Sequence, residues 1–334
     1  VRNVRRYDWL ILYLFGASPA VCKTFLRGRP TDLQQLDGGT LFGPYATSLR
    51  MSGVGYQNTS QSALHVSANS LEEYVRDLSA AIETPDPEWQ ALGLKRAVEY
   101  LQLNTNKLQI ENEFYSSVRP KRVAQSGERP TKALQRGGIE YVELRVLDVS
   151  PFDPVGINQS EIRFVETYLV YCMLQDSPAM FAAEAADAKS NQAAVASNGR
   201  QPGLILQRRG SPIAMQDWAL ELLEAMQPVA EMLDCGVGEE YRQALAMQLA
   251  VVRDPELTPS ARMLSELRDN NLSFVDYGLQ IAEANRDYFL AQAPEHNKRR
   301  ENLLEEARLS LERQRAIEAA DNVSFDEYIK LYYS

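Results

Sequence analysis

The stretch Arg136-Gly-Gly-Ile-Glu-Tyr-Val-Glu-Leu-Arg-Val-Leu-Asp, followed by Val149-Ser-Pro-Phe-Asp-Pro, constrains this chain more than any other. Gly137 and Gly138 release it from a loop, a run with β-propensity follows, and Pro151 and Pro154 end it. Side chains of a strand alternate faces. Ile139, Tyr141, Glu143, Arg145 and Leu147 therefore share one face, and Glu140, Val142, Leu144, Val146 and Asp148 the other. Glu143 and Arg145 stand two residues apart among apolar neighbours. Burying such charges costs desolvation unless each finds a partner or a ligand. From this stretch alone two readings stay open: an internal ion pair on a solvated face, or a metal-holding carboxylate beside an arginine for an anionic substrate.

Composition limits the ligands. The 334 residues suit one large domain or two ordinary ones. A net charge of −10 argues against general nucleic-acid binding, so an anionic ligand must be met by local arginines. His65 and His296 are the only histidines, which disfavours histidine-based catalysis and His-rich metal sites. A metal here takes oxygen ligands, which favours magnesium or manganese. Cys22, Cys172 and Cys235 are odd in number and far apart. They form neither a disulfide framework nor a zinc spacing, and a cytoplasmic setting is expected. Cys172, on an apolar helix face, reads as an inert core residue.

Arg2, Arg5 and Arg6 before Trp9–Phe15 imitate a signal peptide, but the run is short and Asp8 interrupts its approach. It is also too short to span a bilayer, so no membrane association is expected. It reads as a helix or strand buried in a soluble protein. Because the chain opens at Val1 inside a periodic segment, further protein is expected upstream.

Along the chain, the spacing predicts a helix over residues 1–15, broken by Gly16-Ala-Ser-Pro, and a short helix over 20–26. Ala46–Met51 reads as a short strand that projects Arg50, with Tyr56 just beyond; singly, these two also read as a surface arginine and a packed tyrosine. Ser70 caps a helix that runs to about Ile82, with Glu73 reaching back to the cap. Trp89–Tyr100 reads as helical. From Leu108 to Tyr115, Leu108, Ile110 and Phe114 alternate with Gln109, Glu111, Glu113 and Tyr115, which predicts a strand with one polar face. The basic run Arg119, Lys121 and Arg122 is either solvated or a phosphate contact. Residues 124–136 read as a mobile loop suited to a lid. After Pro154 helical patterns dominate. The expected fold class is α+β: residues 1–157 carry the strands, and residues 158–334 form a mostly helical supporting layer. No phosphate loop, dinucleotide fingerprint or nucleophile elbow is present.

Five ordered stretches together resemble the proteobacterial type of glutamate–cysteine ligase, in its C-terminal part. They are Tyr13-Leu-Phe-Gly-Ala-Ser-Pro-Ala, Pro44-Tyr-Ala-Thr-Ser-Leu-Arg, Leu108-Gln-Ile-Glu-Asn-Glu-Phe-Tyr, Arg119-Pro-Lys-Arg and the Arg136–Asp148 stretch. The resemblance implies a glutamine-synthetase-like core, an antiparallel sheet curved into a funnel with helices around it. It implies ATP-dependent joining of the γ-carboxyl of L-glutamate to the amine of L-cysteine through γ-glutamyl phosphate, the first step towards glutathione. It makes Glu143 a ligand of Mg2+ (or Mn2+) and Arg145 the arginine beside it that meets glutamate or the developing phosphate. It makes Arg50 a second substrate arginine, and Tyr56 and Tyr115 the pair near the cysteine pocket.

In that family most metal-binding carboxylates, a metal-site histidine and much of the ATP site lie upstream of the first of these stretches. One expectation is therefore a truncated or nicked enzyme, or one chain of a split pair with the missing N-terminal segment as its companion chain. By itself the chain is then expected to be inactive or nearly so. Two alternatives stand beside the ligase: a related carboxylate–amine ligase with another amine acceptor, and a non-catalytic scaffold.

Overall fold

A helix with an unbroken apolar run has no solvent face along that run. Helix α1 (Arg2–Phe15) accordingly lies at the centre, with Trp9 to Leu14 each at most 1% exposed. The computed structural model describes residues 1–55, 64–236, 238–292 and 297–333. Strands β1 (Ala20–Cys22), β2 (Gln34–Gln35) and β3 (Thr40–Phe42) form a small antiparallel sheet in the order β1-β3-β2. Helices α2 (Leu71–Glu83) and α3 (Pro87–Leu92) precede the ribbon of β4 (Lys95–Arg96) and β5 (Glu99–Tyr100). Strand β6 (Val118–Lys121) and, after helix α4 (Pro130–Gly137), strand β7 (Tyr141–Leu144) pair antiparallel. Helices α5 (Gln159–Leu174) and α6 (Ala182–Asn198) follow, then the hairpin β8 (Ile205–Arg208) and β9 (Ser211–Ala214). The remainder is α7 (Met215–Leu233), α8 (Glu240–Arg253), α9 (Pro259–Asp269), α10 (Phe274–Gln292), α11 (Asn297–Ala320) and α12 (Phe325–Tyr333). The fold is α+β with small antiparallel sheets. Among the described residues no helix is long and apolar enough to cross a membrane.

The largest core joins both halves of the chain. Trp9 and Tyr13 of α1 pack with Phe164 and Tyr168 of α5, Leu223 of α7 and Leu245 of α8, and Val118 and Val146 enter from the β6–β7 ribbon. Tyr168 donates from its hydroxyl to the Val4 carbonyl at 3.1 Å, which keeps a fully buried phenol hydrogen-bonded. Residue 157 thus marks a change in content, and the core runs across it. Cys172 lies in this core, where burial pushes its thiol up to about 12, far from the thiolate that reactivity needs.

Several sequence expectations change. The strand predicted over 108–115 is a turn with a short 3-10 helix at Glu111–Glu113, and the ladder starts only at Val118. Local bonds compete with sheet pairing there: Glu113 accepts from the Gln109 amide at 2.7 Å, while buried Glu111 accepts from Arg129 Nε, the Thr131 amide and the Thr131 hydroxyl. Residues 46–51 form a bend and a 3-10 turn (Leu49–Met51) rather than a strand, because the Thr47 and Ser48 amides donate to the Ala196 carbonyl on α6. Helix α4 occupies much of the expected loop 124–136, with Pro130 in its first turn. The short helix expected over 20–26 is β1 followed by a 3-10 turn, and the helix expected over 89–100 is α3 and a ribbon. The β8–β9 hairpin interrupts the helical half. Ser70 caps α2 as expected, accepting from the Glu73 amide at 3.1 Å, but the Glu73 carboxylate takes the Ser67 hydroxyl instead of closing the box.

Helix α1 also buries charge. Asp8 is 3% exposed; its Oδ2 accepts from Gln192 Nε2 at 2.8 Å. Burial pushes its carboxyl up to about 7, with Ser117, Gln192 and Arg5 pulling the other way. The native state therefore holds a proton that the unfolded chain, with this carboxyl at its ordinary 3.8, releases, so this group's contribution to stability falls as pH rises from near 4 to about 7. Asp8→Asn is expected to stabilise the chain, and its gain over wild type grows by roughly 2–3 kcal/mol between pH 5 and pH 8. Urea unfolding of both proteins at the two pH values measures this; a pH-independent difference rejects it.

Candidate functional site

The β6–β7 ribbon brings the charged side chains together. In register, Val118 faces Leu144, Arg119 faces Glu143, Pro120 faces Val142 and Lys121 faces Tyr141. The Arg145 amide extends the pairing by donating to the Ser117 carbonyl at 2.7 Å. The alternation read from the sequence holds past the strand: Val146 and Asp148 are buried, whereas Glu143 and Arg145 on the other face are half-buried.

Three polar atoms on this ribbon are buried without a hydrogen-bond partner: Arg119 Nε, Glu143 Oε2 and Arg145 Nη1. Buried polar atoms are almost always hydrogen-bonded, so three on one ribbon call for an account. Glu143 has only a loose ion pair, with Lys121 Nζ at 3.8 Å. Arg119 donates through Nη2 to the carbonyls of Asn112 (3.0 Å) and Phe114, which holds its plane and leaves Nε over. Burial, and then the neighbouring Arg145 cation, hold the Arg119 guanidinium below its ordinary value. Two like charges thus converge in a half-desolvated place, which raises the potential felt by an anion. The Arg145 guanidinium lies 5.2 Å over the Tyr115 ring, a cation–π contact that orients it.

Behind the ribbon stands one carboxylate. Asp148 Oδ1 accepts from Arg50 Nε at 2.6 Å and from the Ser48 hydroxyl at 3.0 Å. Its Oδ2 accepts from the Ala17 amide at 2.9 Å and the Ser18 hydroxyl at 2.7 Å. Arg50 in turn donates through Nη1 to the Tyr115 hydroxyl at 2.9 Å and through Nη2 to the carbonyls of Arg145, Val146 and Leu147 at 3.2, 2.9 and 2.8 Å. The Gly16-Ala-Ser-Pro loop, the 46–51 turn and the Arg145–Asp148 segment therefore meet at Asp148. Gly16 is needed at this junction: a Cβ there would come within 2.7 Å of the Thr47 carbonyl oxygen.

Of the residues singled out in the sequence, Glu143, Arg145, Tyr115 and Arg50 are brought together. Arg50 is mostly engaged inside the chain, leaving its charge and one Nη1 hydrogen for anything else. Tyr56 lies outside the described residues. Sequence reading passed over Asp148 as a site residue and noticed Arg119 only as part of a basic run. The burial of Asp148 was legible in the alternation, but its partners were not. Among the described residues no group of three or more His, Cys, Asp or Glu side chains is placed to hold a metal ion. Glu143 Oε2 can supply one oxygen ligand, and the residues present do not complete a magnesium site.

Comparison with known proteins follows the same stretches. The family profile for glutamate–cysteine ligase matches residues 1–195. A glutamate–cysteine ligase of Azotobacter vinelandii is 49% identical over 99% of this chain and 63% of its own length. One from Pseudomonas paraeruginosa is 46% identical with the same coverage. This chain thus spans about 63% of the length of the curated relatives it matches. Those relatives carry the matched region inside one longer chain, which lends nothing to a separate companion chain. Among solved structures, a glutamate–cysteine ligase of Francisella tularensis in complex with AMP superposes with a TM-score of 0.92 at 38% identity, over 99% of this chain and 66% of that one. A bifunctional glutathione synthetase of Pasteurella multocida, at 24% identity and TM-score 0.62, shares the fold over 86% of this chain and 31% of its own.

If Asp148 is the tie between three segments, removing it strands a partly buried guanidinium, a buried amide and two hydroxyls. Asp148→Ala is expected to cost about 3 kcal/mol of unfolding free energy. Lys121→Ala, which removes only the loose 3.8 Å pair with Glu143, is expected to cost less than about 1 kcal/mol. Chemical unfolding measures both, and equal costs would remove Asp148 from its central place.

Proposed function

The chain belongs to the glutamate–cysteine ligase family, and on that premise we propose that its β6–β7 ribbon holds L-glutamate for ATP-dependent ligation to L-cysteine. The observation that carries this reading is the group of three unsatisfied atoms, Arg119 Nε, Glu143 Oε2 and Arg145 Nη1, on one half-buried ribbon. A free carboxylate is a poor electrophile. The γ-carboxylate oxygen attacks the terminal phosphorus of ATP, giving γ-glutamyl phosphate and ADP. The cysteine amine then attacks the acyl carbon, phosphate leaves with the C–O bond electrons, and the amine proton passes to solvent. This is the first step towards glutathione, and the AMP in the crystal of the Francisella relative accords with nucleotide use.

In this reading Arg145 Nη1 donates to the carboxylate as it becomes an acyl phosphate, and Arg119 adds a second positive charge from the neighbouring strand. Both are fixed before the reaction, which is what electrostatic catalysis requires. Arg50 acts first as a positioning residue: it holds the carbonyls of 145–147 and the Tyr115 hydroxyl, and so aims Arg145 and the Tyr115 ring. Tyr115 borders the cysteine pocket, and the family resemblance gives Tyr56 the same role. Glu143 is one oxygen ligand of the Mg2+ (or Mn2+) that accompanies ATP. Bound there, the ion would offset charge on the phosphate oxygens; the remaining ligands are not among the described residues. The ribbon reads as part of a sheet curved into a funnel, residues 158–334 as the layer that supports it, and the cytoplasm as the compartment, in keeping with three free cysteines.

Ligand binding shifts stability by mass action. L-glutamate with Mg-ATP is expected to raise the melting temperature of the chain, with a stabilisation of about 2.7 kcal/mol at a hundredfold excess over Kd. Arg145→Ala is expected to remove the glutamate-dependent part, and Arg119→Ala to reduce it. An undiminished glutamate shift in Arg145→Ala would sink the proposal.

A further inference from the structure

A cavity of about 200 Å³ lies between α1, residues 64–66, residues 114–117 and α6, with Tyr115 among its walls. The ligase reading uses none of it except the Tyr115 ring. Two features mark it. Asp8 is 3% exposed and faces the cavity, and its Oδ1 has no hydrogen-bond partner. Arg5, one helical turn earlier on the same face of α1, also lines the cavity. Its Nη1 donates to the Val66 carbonyl at 2.8 Å, and its Nη2 is buried without a partner.

A carboxylate and a guanidinium at i and i+3 ordinarily pair. Here they form no ion pair with each other: Asp8 Oδ2 is turned to Gln192 and Arg5 to a carbonyl. Each keeps one unsatisfied atom of opposite charge beside the same small space. An uncompensated buried carboxylate is costly, and burial has already pushed this one up to about 7. A ligand with a cation at one end and an anion at the other, about one carbon apart, satisfies both atoms at once. Val66, Phe114, Met180 and Ala185 give the cavity an apolar wall and His65, Ser116, Ser117, Lys189 and Gln192 a polar one, and its size admits only a small side chain.

We propose that this cavity is a second ligand site, for a small α-amino acid, with the ammonium on Asp8 Oδ1 and the carboxylate on Arg5 Nη2. It is distinct from the glutamate site on the ribbon, and it does not depend on the ligase reading. Its position makes it a natural modulator of that site. The Tyr115 ring is the shared wall, with Arg145 stacked on it, and Ser117, beside Asp8 in the cavity, receives the Arg145 amide through its carbonyl.

The test is calorimetric titration of the chain with L-alanine, with acetate and methylamine as half-ligands. The expected result is saturable binding of L-alanine and at least tenfold weaker binding of either half-ligand. Asp8→Asn and Ala185→Phe, which fills the cavity without touching a charge, are each expected to weaken L-alanine at least tenfold while the chain keeps its circular dichroism. Arg145→Ala is expected to leave L-alanine within twofold of wild type, which separates this site from the one on the ribbon. No binding, binding indifferent to both cavity variants, or loss in Arg145→Ala overturns the proposal. So does a crystal grown in saturating L-alanine that shows only water on Asp8 Oδ1 and Arg5 Nη2.

Discussion

Asp148 is the interaction on which the rest depends. Its two oxygens collect four donors from segments far apart in sequence, among them the Ala17 amide 131 residues upstream and Arg50 Nε 98 residues upstream. A buried carboxylate is unfavourable unless every oxygen is satisfied. Once satisfied, it fixes its partners, because breaking any one bond exposes the cost of the others. The loop that ends α1, the turn that carries Arg50 and the segment after β7 thereby acquire a single relative placement. Arg50 passes the constraint on. With Nε on Asp148 and Nη2 on three successive carbonyls, it clamps the backbone from which Arg145 projects.

This arrangement separates two jobs that arginines do equally well. Arg50 is enclosed and its donors are largely used, so it supports. Arg119 and Arg145 each keep an unsatisfied nitrogen, and burial together with the nearby Arg145 cation holds the Arg119 guanidinium below its ordinary value. Bringing two guanidiniums together costs stability, and an anion placed between them recovers it. In a chain with a net charge of −10, such local convergence is what can attract an anion. Helix α1 repeats the theme at Asp8 and Arg5, where charges are buried side by side without neutralising one another. The central helix is therefore apolar enough to organise the core and still charged where it meets the ribbon.

What the sequence revealed followed from local rules. The apolar run from Trp9 to Leu14 read as an enclosed segment and the spacing over residues 1–15 as a helix, and the alternation from Ile139 to Asp148 put Glu143 with Arg145 and hid Val146 with Asp148. What it concealed depends on distant partners. The residues from Leu108 to Tyr115 alternate like a strand, yet Glu111 turns inward to Arg129 and Thr131, eighteen and twenty residues on. Alternation does not register that pull. Residues 46–51 have a plausible strand composition, but a carbonyl on α6 takes their amides. Tyr115 was read as a polar-face residue of a strand; it reaches the site from a turn instead, held by Arg50 and by Arg145. Arg119 looked like one member of a solvated basic run, and only the register opposite Glu143 separates it from Lys121. The resemblance of five ordered motifs identified the family correctly, although the physics of single motifs left each one ambiguous.

The most direct test of the central claim is a double-mutant cycle on L-glutamate affinity, pairing Asp148→Asn with Arg145→Lys. If Asp148 acts by placing Arg145, each change alone weakens glutamate, and Asp148→Asn has little further effect once Arg145 is lysine. The coupling energy then reaches roughly 1 kcal/mol or more. Losses that simply add would mean that Asp148 supports the fold without aiming the arginine, and would contradict its role as the organiser of the ribbon.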